Sequence, residues 1–266
     1  MAFTVVRQGA LEYLRSEALS GAIHGFTTRF GGVSGGYLSS LNLGIHRGDT
    51  PENVRKNYEI VGNALGFDPE DVVMTHQVHS DVVRRVGREN RGEGLLRPVP
   101  RDCDGLITDE PGVVLAVFSA DCTPVLLFDP VRRAAGAVHA GWRGTAAGIV
   151  KNAVERMRAE FGCAPETIRA AIGPCIGPCC FETGPEVPAA MTAALGRDAE
   201  EFCRPAGEKY YVNLKGLNRL WLSRCGVTVI DLCPDCTHCQ PERFWSHRTV
   251  GFNRGAQAAL IGLMEN

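Results

Sequence analysis

The sequence predicts an α/β fold of the mixed, α+β type, in which helices cover one or more sheets. Strands dominate the middle of the chain, where short turns separate three apolar runs at 113–118, 125–129 and 134–139. Helical patterns flank this region on both sides, which favours layers of helix on sheet. The 266 residues contain no internal repeat, low-complexity linker or break in composition, so we expect a single domain over 1–266.

Apolar periodicity and capping residues predict the other elements. Asp49 or Thr50 can cap a helix over 51–65, in which Pro51 suits the first turn. A second helix is predicted over 145–161, and Gly162 ends it. The remaining predictions are strands at 71–78, 81–86, 168–172 and 227–232, helices at 186–195, 211–225 and 256–264, and an exposed loop at 88–101.

Residues 22–49 form a polar stretch with two glycine pairs. One interpretation is a mobile surface loop, because glycines permit backbone angles that other residues avoid. The other is a loop on the substrate side, since its Arg, Thr, Asn and His side chains suit an anion or a sugar. Arg29 and Asn42 lie in this stretch and are candidates for such contacts.

Composition excludes several classes of function. A hydrophobic fraction of 44% and a charged fraction of 22% are typical of globular proteins. A net charge of −2 gives no electrostatic reason to expect nucleic acid or an anionic membrane as partner. No run approaches the roughly 18 apolar residues that span a bilayer, and the first residues do not resemble a signal peptide. Eleven cysteines cannot all pair within one chain, so we expect reduced thiols and a cytoplasmic location.

Three residues are candidate metal ligands: His79, Cys122 and His139. Each ends an apolar run or lies just beyond one, and loop residues follow. Two imidazoles and a thiolate are usual ligands of a zinc site with one open position, although copper accepts the same atoms. Their wide separation in sequence means that only the fold can bring them together. The alternative is two hydrogen-bonded histidines near the core and one buried thiol.

The turn after His139 is a candidate anion site. Gly141 and Gly144 allow a ligand to approach the backbone, and the predicted helix begins directly after them. Helix N-termini favour anions, and the guanidinium of Arg143 suits phosphate. Zinc and anion sites side by side would suit phosphorolysis or hydrolysis.

Eight blocks, in order from about residue 24 to the C-terminus, resemble the bacterial laccase-domain family. This family was once described as multicopper polyphenol oxidases and is now mostly described as purine nucleoside phosphorylases. The blocks include the three candidate ligands and lie at 24–34, 40–44, 77–79, 104–105, 120–124, 138–144, 172–174 and 180–182.

The resemblance implies a fold and a chemistry. It implies an α-β-β-α sandwich with mixed sheets and one zinc held by His79, Cys122 and His139. It implies phosphorolysis of adenosine, inosine and methylthioadenosine, together with adenosine deamination, by a monomer or homodimer that binds purine nucleoside and phosphate. Editing of peptidoglycan precursors is attributed to some members. We take Cys122 and Arg248 as candidate catalytic residues, and Arg29, Asn42, Gln77 and Arg143 as candidate substrate or phosphate contacts.

The chain departs from the family pattern at two places. Ser80 follows the first histidine, where the family often has glycine. Near the C-terminus the family usually has two arginines and an acid after an aromatic residue or histidine. Here Arg248 matches the first arginine, but Thr249 and Val250 replace the second arginine and the acid.

Other functions remain open at this point. A copper laccase would use several coppers and many histidines, whereas this chain has seven in total. A hydrolase could use Cys122 as nucleophile and His139 as base. Separately, Cys233, Cys236 and Cys239 with His238 form overlapping Cys-x2-Cys units, which suit either a structural metal or ordinary reduced thiols.

Overall fold

Two six-stranded mixed sheets form the centre of the protein in a computed structural model that describes residues 3–265. The strands of the first sheet are β1 Phe3–Gln8, β2 Leu11–Ser16, β3 Ala22–Thr27, β4 Val72–Met74, β7 Val114–Ser119 and β15 Gln257–Leu263. Those of the second sheet are β5 Val83–Arg85, β6 Gly105–Thr108, β8 Thr123–Asp129, β9 Ala134–Ala140, β10 Arg169–Ile172 and β14 Val229–Leu232.

A small third sheet and several helices complete the description of residues 3–265. The third sheet contains β11 Glu182–Thr183, β12 Cys203–Ala206 and β13 Lys209–Val212. The helices are α1 Pro51–Leu65, α2 Trp142–Ala146, α3 Ile149–Phe161, α4 Glu186–Leu195, α5 Leu214–Arg224 and α6 His247–Val250. Short 3₁₀ turns occur at Glu17–Leu19, Gly36–Leu38, Pro69–Asp71, Arg88–Asn90 and Gly196–Phe202.

Successive groups of strands alternate between the two sheets along the chain. The first sheet runs β1-β2-β3-β15-β7-β4 and the second β14-β10-β8-β9-β6-β5. Three pairs are parallel, namely β4 with β7, β5 with β6 and β10 with β14, and the other pairs are antiparallel. The chain passes from the first sheet to the second at two places, from β4 to β5 and from β7 to β8.

Three hydrophobic clusters define the layers. Phe26 and Leu115 of the first sheet pack against Leu106 and Leu126 of the second. Helix α1 covers the outer face of the first sheet, while α3 and α5 cover the outer face of the second. The layers are therefore helix, sheet, sheet and helix, and the predicted α-β-β-α sandwich is confirmed.

The predicted helix at 256–264 is wrong. This segment is strand β15, which lies between β3 and β7 in the first sheet. All seven of its residues are buried, because helices or the second sheet cover both faces. A short apolar run with two buried faces has no alternation to distinguish strand from helix.

Two further helix boundaries differ from prediction. The helix predicted over 145–161 is broken at Gly148, whose φ of 77° is left-handed, so that a five-residue helix α2 precedes α3. The helix predicted from residue 211 begins at Leu214, because β13 occupies the preceding residues and the Asn213 side chain caps the helix by accepting from Gly216 N. A five-residue helix offers a weaker anion site than the long helix that the sequence predicted.

The predicted loop at 22–49 is also partly wrong. Its first six residues are strand β3, and Leu41, Asn42 and Leu43 are fully buried. Glu93, in the predicted exposed loop at 88–101, is buried against Arg84. Among residues 3–265, no helix is both long enough and apolar enough to cross a membrane.

The core between the sheets predicts a large difference between two phenylalanines. Phe26 is 1% exposed in this core, whereas Phe252 is 83% exposed. We expect Phe26→Ala to lower the free energy of unfolding by about 3–5 kcal/mol. Phe252→Ala is the matched control and should change it by about 0.5 kcal/mol or less. Chemical denaturation measures both, and similar values for the two variants would contradict this assignment of the core.

Candidate metal centre

The fold brings His79, Cys122 and His139 together. Their metal-binding atoms all lie within 4.8 Å of one another, and Cys122 Sγ is 3.8 Å from His79 Nε2. The two imidazole rings are nearly perpendicular, with centroids 5.0 Å apart. His139 is buried, Cys122 is half-buried and His79 is exposed, so the group opens to solvent on one side.

The two crossings between the sheets position this group. His79 lies in the connection from β4 to β5, and Cys122 lies in the connection from β7 to β8. His139 is in β9, where it pairs with Pro124 of β8. Two of the three candidate ligands therefore lie where the chain passes from the first sheet to the second, and the third lies on the neighbouring strand β9.

Two residues beside this group have left-handed backbone conformations, which residues other than glycine rarely adopt. The φ angle is 63° at His79 and 93° at Asp121, which precedes Cys122. Such conformations cost on the order of 1–3 kcal/mol each and persist where surrounding contacts impose them. Here Asp104 holds the backbone of His79, while Asp121 accepts hydrogen bonds from Thr237 Oγ1 and Arg248 N, both at 2.6 Å.

The Asp104 carboxylate organises the group. It is fully buried and accepts five hydrogen bonds. Its Oδ2 accepts from the backbone of Val78 and from both the backbone and the hydroxyl of Ser80, at 2.8–3.1 Å. Its Oδ1 accepts from His79 N at 3.0 Å and pairs with His139 Nδ1 at 2.8 Å. One carboxylate thus fixes both the loop of His79 and the ring of His139.

The departure from the family pattern at Ser80 has a structural reason. Its hydroxyl donates to Asp104 at 2.8 Å, a hydrogen bond that glycine cannot make. Residues 104–105 form one of the blocks that resemble the laccase-domain family, but the sequence indicates no role for Asp104. Its role follows only from the fold, which places β6 beside β9 and so brings Asp104 against His139.

Charges at the centre are strongly coupled. Burial opposes ionisation of Cys122, but the charge of His139 lowers the pKa of this thiol to about 6. Burial opposes protonation of His139, but the Cys122 thiolate and Asp104 raise its pKa to about 9. Burial would raise the pKa of Asp104, yet its hydrogen bonds with His139 and Ser80 lower it to about 2. At neutral pH the metal-free group is therefore a thiolate beside an imidazolium.

The donor set fits one metal ion. Because Asp104 occupies Nδ1 of His139, the Nε2 atom of that ring is left to face the other two donors. Two imidazole nitrogens and a thiolate suit zinc, and copper accepts the same set. Gly141 keeps the space beside these donors open, because a Cβ there would lie 2.7 Å from His79 Cδ2 and 3.3 Å from Cys122 Sγ. Only glycine leaves room at this point.

A cavity of about 660 Å³ lies beside the loop that leads to His79, whose residues 75–77 line it. Its wall includes His46, Arg47, Gln77 and Phe118. The Gln77 side chain donates to Phe118 O at 2.9 Å and accepts from Phe118 N at 2.7 Å. Gln77 therefore ties the loop that leads to His79 to the strand end that leads to Cys122.

Two arginines that the sequence analysis missed lie near each other: Arg47 lines the cavity, and Arg254 lies within electrostatic range of Arg47, Asp121 and Cys122. Burial and the charge of Arg47 lower the pKa of Arg254 to about 10, while Asp121 and Cys122 oppose that shift. Burial also lowers the pKa of Arg47. Arg254 Nε is buried and has no hydrogen-bond partner among the described residues. Neither arginine belongs to a recognisable motif, so no signal in the sequence pointed to them.

The other predicted contacts have varied surroundings. Arg29 donates to the backbone oxygens of Ser39 and Pro241 and stacks on Trp245 at 3.8 Å. Asn42 is fully buried and bonds to Gly44, Asp49 and Ala256. Both side chains thus hold the 29–49 segment in place.

Arg143 and Arg248 lie closer to the candidate ligands. Arg143 is exposed, two residues after Gly141, and its guanidinium lies over the ring of Trp142. Arg248 donates from its guanidinium to Cys180 O and Glu182 O, and its backbone N–H bonds to Asp121. Arg143 therefore has side-chain donors free to meet a ligand, and Arg248 is held beside the Cys122 loop.

Comparison with known proteins identifies relatives over nearly the whole chain. Residues 23–264 match the sequence model of a family described as "Multi-copper polyphenol oxidoreductase laccase". A protein of Geobacillus stearothermophilus named purine nucleoside phosphorylase YlmD is 37% identical over 269 residues, covering 98% of each chain. A purine nucleoside phosphorylase of Deinococcus radiodurans is 38% identical over 90% of this chain and 88% of its own. The crystal structure of YlmD from Geobacillus stearothermophilus superimposes with a TM-score of 0.93 at 36% identity, covering 99% of this chain and 100% of that one. The chain therefore belongs to the multi-copper polyphenol oxidoreductase laccase family.

Proposed function

We propose that this protein is a zinc-dependent purine nucleoside phosphorylase that acts on adenosine, inosine and methylthioadenosine and also deaminates adenosine. We base this proposal on the donor set of His79, Cys122 and His139, which Asp104 orients at the end of the loop whose residues 75–77 line the cavity. Relatives named purine nucleoside phosphorylase support the reaction class. We further propose that the protein is cytoplasmic, with reduced thiols, and is a monomer or homodimer.

Phosphate binding is assigned to Arg47 and Arg254. Arg47 and Arg254 carry like charges that repel: burial and the charge of Arg47 lower the pKa of Arg254, while burial lowers the pKa of Arg47. A phosphate between them would relieve that repulsion and satisfy Arg254 Nε, since guanidinium groups bind phosphate through paired hydrogen bonds. Arg143 and Arg248 remain the predicted additional contacts at the other side of the Cys122 loop.

The nucleoside is assigned to the cavity lined by Gln77 and Phe118. Its volume of about 660 Å³ lies in the range of small-molecule sites. Phe118 is half-buried and offers an aromatic face to a purine. Arg29 and Asn42 would act on this site by fixing the 29–49 segment, which includes the cavity residues His46 and Arg47.

Phosphorolysis breaks the bond between ribose C1′ and the purine nitrogen and forms a bond from C1′ to a phosphate oxygen. The bond electrons leave with the purine, which gains a proton. Zinc, when held by the three ligands, would supply a positive charge and a Lewis acid at the edge of the cavity. The arginines hold phosphate against the sugar, and Asp104 keeps the His139 ring in one orientation.

One observation favours a second function. The pKa of Cys122 is lowered, and His139 lies close to its thiol. A cysteine nucleophile and its general base have the same features. Such a hydrolase would need the thiol free of metal. By contrast, a copper oxidase of the laccase type would use several copper sites rich in histidine, and among residues 3–265 only one candidate group contains histidine.

Loss of a ligand should remove both zinc and activity. We expect Cys122→Ser and His139→Ala to lose the zinc of this site and to lower kcat/KM for adenosine with phosphate by at least about 100-fold, because even residues that only orient ligands contribute roughly 10- to 100-fold. Elemental analysis and assays with and without phosphate measure this. Cys225→Ser, at a half-buried thiol far from the ligands in sequence, is the matched control.

Alkylation separates the zinc enzyme from the cysteine hydrolase. Because the pKa of Cys122 is about 6, its thiolate forms above that pH, and iodoacetamide should modify it increasingly through pH 6 once a chelator has removed metal. With zinc bound, mass spectrometry should find Cys122 protected. Full activity in His139→Ala, or an active enzyme whose Cys122 is alkylated equally with and without zinc, would contradict the proposal.

The arginine assignment predicts a selective effect on phosphate. We expect Arg254→Ala to raise KM for phosphate by roughly 10- to 100-fold, the value of one or two hydrogen bonds to a charged group, with a smaller change in KM for the nucleoside. Steady-state kinetics with each substrate varied in turn measure the difference. Arg219→Ala, at an exposed arginine of helix α5, is the control. Equal effects on both KM values would contradict a phosphate role for Arg254.

The Asp104 carboxylate should control metal affinity. Asp104→Asn keeps the size of the side chain but replaces one accepting oxygen with an NH2 group. This group would face the N–H and O–H groups that now donate to Asp104, so zinc affinity should fall by roughly 10- to 100-fold. Competition with a chelator of known affinity measures it. Asp102→Asn is the matched control two residues away, because Asp102 is exposed and pairs with His76. Unchanged affinity in Asp104→Asn would show that Asp104 does not set the ligand geometry.

A further inference from the structure

A second group of metal-binding side chains lies outside the centre described above. Cys179 and Cys180 lie in the loop between β10 and β11, and Cys236 and Cys239 follow β14. All four Sγ atoms lie within 4.8 Å of one another. Cys239 Sγ is 3.3 Å from Cys180 Sγ and 3.6 Å from Cys179 Sγ. We propose that these four cysteines bind one zinc ion as a structural site.

The sulfur spacing suits a single ion. Zinc binds thiolates at about 2.3 Å in a tetrahedron, which places neighbouring sulfurs about 3.8 Å apart. The distances of 3.3 and 3.6 Å to Cys239 are close to that value. A disulfide would need about 2.05 Å, and an iron–sulfur cluster would need wider spacing because it inserts more than one iron and inorganic sulfide.

The backbone around the four sulfurs supports metal ligation. Cys236 and Cys239 form a Cys-x2-Cys pair, and Cys236 is buried while Cys239 is exposed. Gly177 N lies 3.1 Å from Cys236 Sγ, and an N–H donated to sulfur favours the thiolate. A Cβ on Gly177 would lie 3.2 Å from both Cys179 Sγ and Cys236 Cβ, so glycine permits this close approach.

Positive side chains accompany the cluster. Four thiolates and one Zn²⁺ carry a net charge of −2, which nearby cations must offset if the site is partly buried. Lys215 Nζ donates to Cys233 O and Asp235 O, both at 2.6 Å, on the segment that leads to Cys236. The Arg248 guanidinium donates to Cys180 O at 3.2 Å.

The cluster joins the two segments that support the Cys122 loop. The segment before Cys179 donates Ile176 N to Asp121 O at 2.9 Å. Thr237, between Cys236 and Cys239, donates its hydroxyl to Asp121 Oδ1. A zinc ion that ties these segments together would therefore hold Asp121 and Arg248 in place from outside the first centre. This inference does not depend on the reaction proposed above.

Zinc stoichiometry tests the second site. The chain purified under reducing conditions should contain two zinc equivalents by elemental analysis. Cys179→Ser/Cys239→Ser removes two exposed ligands with little effect on packing and should lose one equivalent, whereas Cys225→Ser should lose none. His139→Ala should lose the other equivalent. If only the first centre fails to bind zinc, the wild-type chain will hold one equivalent, which His139→Ala keeps and the double variant loses.

The absorption spectrum of the cobalt-substituted protein reports which thiolates bind the metal, whether or not a variant is less stable. Thiolate-to-cobalt absorption should fall by more than half in the double variant and persist in His139→Ala, because most of the thiolates belong to this cluster. Unchanged zinc content in the double variant, a disulfide in this cluster in the reduced preparation, or iron in place of zinc would overturn the proposal.

Discussion

The buried carboxylate of Asp104 is the interaction on which the rest of the centre depends. It has no exposed surface and accepts five hydrogen bonds, which hold the loop of His79 on one side and the ring of His139 on the other. Hydrogen bonds to a charged group contribute about 1.5–3 kcal/mol each, and losing them would leave a charge buried without partners. The left-handed conformation of His79 persists because these bonds impose it. Ligand geometry is therefore fixed before any metal binds.

The sandwich explains why this carboxylate can lie where it does. The chain passes from the first sheet to the second after β4 and again after β7, entering at the edge strand β5 and at the inner strand β8. Strand β6 pairs with β9 in a register that brings Asp104, just before β6, against His139. Two of the candidate ligands come from these connections and the third from β9, which accounts for the long separations between His79, Cys122 and His139 in sequence.

The sequence predicts elements whose bounds depend on local pattern. It fails for elements and side-chain contacts that depend on packing between distant parts of the chain. Helix α1 was predicted at its observed bounds because a cap, a first-turn proline and an apolar stripe all lie within 51–65. Strand β15 was missed because burial of both its faces is a property of the whole sandwich. The three candidate ligands were found through their flanking motifs, but Arg47 and Arg254 belong to no motif. Their mutual proximity in a partly buried site is a property of the fold alone.

Asp121 links the two cysteine-containing groups. It precedes Cys122, and its left-handed backbone turns that thiol toward the histidines. Its oxygens accept from Ile176 and Thr237, which lie on the segments that contain the four cysteines, and from Arg248 of helix α6. Asp104 therefore fixes the histidines from the sheet side, and Asp121 fixes the cysteine from the side of the thiol cluster. Because neither carboxylate contacts all three ligands, both supports are needed to hold the ligands at the spacing that one ion requires.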